Sequence, residues 1–160
     1  MGTSTATSTA AVKHVIVETQ ALDEMRYDTV GDWVYVPDRE TLYIYVADLG
    51  DWRANMAVAM HEQAEAMQCL DRGISQEEVE VYDLSHLDSE DPGSDDAAPY
   101  HLEHEFAEWF IERPFIGQFM SQQKYDRMFQ RLPKWRGKLV GLGKRLADLT
   151  QEPRYETENT

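Results

Sequence analysis

Apolar positions along this chain change their period from about two to nearly four. In VKHVIVET, WVYVP and TLYIYVA, β-branched and aromatic residues alternate with polar ones or run together, and the turn-like PDRE between the last two segments predicts a hairpin. From DLGDWR onward the spacing lengthens to nearly four through Met56, Met60, Ala64 and Met67, which predicts a helix from about 51 to 72. Asp48 or Asp51 is its candidate N-cap and Gly73 its stop. Ser75 followed by Glu78 is a capping-box pair and predicts a short second helix over about 76–83. LDSEDPGSDDAAP then reads as a loop, and Pro99 opens a third, amphipathic helix, YHLEHEFAEWFIE, expected to stop before Pro114.

Beyond that proline the chain divides into IGQFMSQQKYDRMFQRL and, after Pro133, KWRGKLVGLGKRLADLT. Trp135, Leu139, Leu142, Leu146 and Leu149 form an apolar helical stripe with Lys and Arg opposite, weakened by Gly137, Gly141 and Gly143. The flanks, residues 1–11 and 151–160, are small or polar without a periodic face and read as flexible tails. The pattern as a whole predicts one α+β domain over residues 12–150. A small antiparallel sheet occupies 12–47, helices bearing the candidate chemistry 51–112, and basic helices 115–150. A chain of 160 residues is the right size for a single core.

Charge refines this picture. The formal net charge is −15, but residues 1–112 carry 5 basic and 25 acidic groups (−20), whereas residues 113–160 carry 10 basic and 5 acidic (+5). Such halves pair within one fold or offer the basic part to an acidic partner, and the acidic total disfavours nucleic acid. A single cysteine, Cys69, excludes an intramolecular disulfide. The first residues lack a basic and apolar leader, and no apolar run approaches the ~18 residues of a membrane span, so a soluble cytoplasmic protein is expected.

The chemistry lies in HEQAE, residues 61–65. His61 and Glu65, four apart on a helix, share a face one turn apart, while Glu62 points about 100° away. An imidazole and a carboxylate so placed suit zinc, with the adjacent Glu62 as base toward a metal-bound water. One helix supplies only two ligands. His104 is the first choice for a third, His101 the next, and Asp83 either a ligand or an outer carboxylate that orients an imidazole. HEQAE also has an echo in HEFAE at 104–108, four of five residues alike, which raises a two-metal arrangement. Carboxylate-bridged di-iron bundles usually carry the opposite order, Glu-x-x-His. A bland alternative is a solvated helix face with an intrahelical ion pair.

GDW at 31–33, DWR at 51–53, HEQAEAMQC, GISQEEVEVYD at 73–83 and DPGSDDAAPYHLEH at 91–104, in this order, resemble small uncharacterised phage-encoded proteins with a zincin-like HExxE helix. The resemblance spans about residues 27–110. It implies a zincin-like fold and a zinc-dependent hydrolase of metallopeptidase type, with His61, Glu62, Glu65, Asp83, His101 and His104 at the matching positions. It also implies a location in the host cytoplasm or the virion; residues 115–150 lie outside the match, and in the non-enzymatic alternative they are the surface for a host or virion protein. The alternative is a non-enzymatic phage accessory or structural protein in which the His/Glu cluster is a metal staple or polar network.

Overall fold

The computed structural model describes residues 10–132. The basic stripe after Pro133, residues 1–9 and the C-terminal tail lie outside the described residues.

Three strands build the sheet, β1 (His14–Gln20), β2 (Gly31–Val36) and β3 (Thr41–Ala47), in the order β1-β3-β2. β2 and β3 form the expected hairpin, with Gly31 opposite Val46 and Val36 opposite Thr41. Its turn, Pro37–Arg39, ends on Glu40 in the left-handed region (φ 48°). β1 departs from the expected antiparallel sheet: it runs parallel to β3, His14 opposite Thr41 and Gln20 opposite Ala47. The sheet is therefore mixed. Gln20 and Gly31 both lie at the Ala47 end of β3, so the connection through residues 21–30 crosses that end and leaves a slot between β1 and β2. The tight hairpin turns β3 back into the slot.

As the central strand, β3 is buried at all seven positions, which explains its continuous apolar run. Leu42, Ile44 and Val46 face the helices, while Tyr43, Tyr45 and Ala47 pack against Met25 and Val34 on the other face.

α1 (Trp52–Arg72) starts where Asp51 accepts the Arg53 N–H at 3.0 Å and ends at Gly73 in the left-handed region, φ 76°. Ala54, Ala57, Ala59 and Ala66 line its buried face, and such small side chains let the helix lie close to its neighbours. α2 (Gln76–Ser85) carries the complete capping box between Ser75 and Glu78.

α3 (His101–Phe106) does not stop before Pro114. It passes into a π-helical turn, Ala107–Glu112, and resumes as α4 (Arg113–Ile116). The Arg113 N–H bonds to the Glu108 carbonyl five residues back, so the ladder restarts and Pro114 falls in the first turn of a new segment, where its missing N–H costs little. α5 (Gln122–Gln130), capped by Ser121, buries Tyr125 against Ala54, Ala57 and Ile116. The chain is thus α+β, a small mixed sheet followed by helices. Among the described residues no helix is long and apolar enough to cross a membrane.

Candidate metal centre

α1 and α3 lie against one another, and their HExxE segments meet. His61 and Glu65 are buried at 5% and 4% exposure. His61 Nε2 is 3.4 Å from Glu65 Oε2, as the four-residue spacing requires. α3 brings His104 Nδ1 to 2.9 Å from that same oxygen and 3.1 Å from His61 Nε2. Three ligand atoms thus form a triangle with edges of 2.9–3.4 Å. Zinc bonds of about 2.0–2.1 Å in a tetrahedron require edges near ~3.3 Å.

The outer atom of each side chain is also engaged. His61 Nδ1 lies 2.6 Å from Glu112 Oε2, a short but bent ion-pair contact, and Tyr125 donates to Glu112 Oε1 at 2.8 Å. His104 Nε2 lies 3.1 Å from Asp91 Oδ1, and the Ser94 hydroxyl donates to Asp91 Oδ2 at 2.6 Å. Trp33 Nε1 donates to Glu65 Oε1 at 3.3 Å. These partners assign the neutral tautomers, His61 with Nδ1–H and His104 with Nε2–H. The three inward atoms are then all acceptors, and acceptors this close need a proton or a cation among them.

Without a metal, protons do this. Burial disfavours the charged imidazoles, but Asp91 and Glu65 outweigh it and lift His104 to about 10. Burial likewise opposes the charge on His61, yet Glu112 and Glu65 raise it well above its ordinary value. Glu65 is held down to about 2 because hydrogen bonds from His104 and His61 overcome its burial.

Glu62, one residue along α1, is half-buried and rests against Gly31, where an added Cβ would lie 2.2 Å from its Oε1. Among the described residues none donates a hydrogen bond to its carboxylate. Burial and the neighbouring Glu65 raise it well above the usual carboxylate range. Gly93 makes room for the His104 ring in the same way, since a Cβ there would meet ring atoms at 2.5 Å. Glu62 and the triad line one cleft of about 550 Å³ between the β2 edge, α2 and the π turn.

Two expected ligands stand apart from the triad. Asp83 accepts hydrogen bonds from Tyr27 (3.2 Å) and Tyr100, and reaches His104 only through the Tyr100 ring, edge-on at 6.1 Å. Its hydrogen bonds go to two tyrosines and to no imidazole. His101 turns to the Gly93 carbonyl at 3.1 Å, with its other nitrogen 3.4 Å from Asp96. Three residues of helix leave it about 60° round from His104. Sequence reasoning passed over Glu112 and Asp91. Asp91 was one acid among several in its loop, and the π turn that aims Glu112 has no sequence signature of its own.

A second group of potential ligands flanks the first. Asp91, His104 and Glu108 each offer an atom within 4.8 Å of the others. Comparison with protein-family models, curated proteins and solved structures finds no match to this chain.

Proposed function

We propose that the protein is a zinc-dependent hydrolase, of peptidase type, in which His61, Glu65 and His104 hold the ion and Glu62 is the base. The single observation that carries this reading is the triangle of inward acceptors, at edges of 2.9–3.4 Å, opening on a cleft that also holds Glu62. Two imidazoles and one carboxylate are the donor set of catalytic zinc with a fourth position left for water. Zinc in such a site polarises a carbonyl and brings the pKa of its water toward 7.

The chain's own residues do the rest. Glu112 and Asp91 fix the two rings by their outer nitrogens, and Trp33 fixes the Glu65 rotamer, so the inward atoms are held before an ion arrives. Glu62, which accepts no hydrogen bond among the described residues, takes the proton from the attacking water and returns it to the leaving group.

Metal analysis with an activity assay tests the reading. His61→Ala and Glu65→Ala should lose the high-affinity zinc, whereas Glu62→Gln should keep it and lose hydrolysis of a peptide library. Zinc retained by both ligand variants would remove the assignment. Zinc bound with no hydrolysis by the wild type would reduce the ion to a staple between α1 and α3.

A further inference from the structure

The reading above uses one HExxE segment and only the histidine of the other. HEFAE places Glu108 one turn beyond His104, as HEQAE places Glu65 beyond His61. His104 Nδ1 points into the triad, while Nε2 points away from it, 3.1 Å from Asp91 Oδ1. Glu108 offers one oxygen within 4.8 Å of a ligand atom of Asp91 and of a ring nitrogen of His104. Arg113 contacts Glu108 through Oε1, at 2.8 Å from its Nε and closer from Nη2, and among the described residues none donates to Oε2. Arg113 is itself anchored on the Trp109 ring, 4.3 Å from the centroid.

We propose that a second divalent cation binds outside the first, to Asp91, His104 Nε2 and Glu108, with the His104 ring bridging the two ions. The bridging geometry rests on the inner zinc of the proposed function; the outer ligand set does not include His61 or Glu65. On taking the second ion His104 releases its Nε2 proton to solvent, and Asp91 turns from a partner of the ring into a ligand. The outer ion is the weaker bound, because Asp91 is half exposed and Arg113 adds a nearby positive charge. Two carboxylates and one imidazole accept zinc as well as harder divalent ions.

Equilibrium dialysis of the full-length protein against rising Zn²⁺, with metal analysis of the retained protein, tests this. Wild type should saturate in two steps at two ions per chain. Glu108→Gln should keep the tight equivalent and lose the weak one, and His61→Ala should lose the tight one and keep the weak. Arg113→Gln breaks the same Glu108–Arg113 ion pair yet spares the ligand, so it should retain the weak equivalent and bind it more tightly. That variant separates a lost ligand from a disturbed helix. Saturation of wild type at one ion would overturn the outer site and leave the inner one standing. So would a weak equivalent that survives Glu108→Gln. A weak equivalent that depends on Glu108 in a protein with no tight one would instead sink the inner reading.

Discussion

At the scale of single residues, two glycines make room for His104 and Glu62, two groups of the proposed zinc site. Gly93 touches the His104 ring, and a methyl group there would sit 2.5 Å from ring atoms, far inside van der Waals distance. Gly93→Ala should therefore displace the ring and weaken zinc binding by about 10–100-fold, the range for disturbed ligand orientation, with far-UV CD unchanged. Competition against a chelator reads the affinity, and an unchanged constant would show that the ring relaxes freely. Gly31 does the same for Glu62, with 2.2 Å left to Oε1. On the proposed function, in which Glu62 is the base, Gly31→Ala should lower kcat while zinc content stays at the wild-type level, because Glu62 moves and His61, Glu65 and His104 do not. Loss of zinc in that variant would mean that β2 supports the ligands rather than the base. His61 and Glu65 owe their shared face to helical geometry alone, so this pair was legible in HEQAE.

At the scale of elements, the centre is held by helices far apart in the chain. α5 reaches it through Tyr125, which is buried and donates to the Glu112 oxygen opposite the one that meets His61. Tyr125→Phe keeps the ring in its apolar cluster and removes only this donor. Zinc affinity should fall by about tenfold with little loss of stability, a split that calorimetric titration and urea unfolding measure side by side. Equal loss in both would make Tyr125 a packing residue only. Element types and ends were largely legible. Asp51 caps α1, Gly73 ends it, and Ser75 with Glu78 starts α2, because caps satisfy backbone groups locally. The π turn was not legible. Ala107–Glu112 packs against α1, a contact no local pattern announces, and Pro114 alone read as a stop.

At the scale of the whole molecule, charge is distributed so that the cleft holds acids on every side. Asp83 sits on α2 between Tyr27 and Tyr100; burial outweighs these two donors and lifts its pKa from 3.8 to about 6. A carboxyl raised on folding contributes stability that is complete below the unfolded value and is lost as pH rises through the folded one. The difference in unfolding free energy between wild type and Asp83→Asn should therefore move against wild type between pH 4 and pH 6, by up to about 3 kcal/mol. Urea titrations at pH 4 and 7 measure it, and a constant difference would mean that Asp83 ionises as freely as in the unfolded chain.

By itself the sequence determined what is local. Helix and strand periods, caps and the i, i+4 placement of His61 and Glu65 follow from backbone geometry within one or two turns. Only the tertiary structure decided partners at long separation. Alternation gives β1 a face but no neighbour, so its parallel pairing with β3 had to come from how residues 21–30 cross the sheet. The sequence ranked His104 ahead of His101, but setting His104 beside Glu65 while His101 turns to Gly93, and drawing Asp91 and Glu112 to the outer nitrogens, needed the packing of α3 and its π turn against α1, where differences of about 60° and one residue decide what each side chain meets.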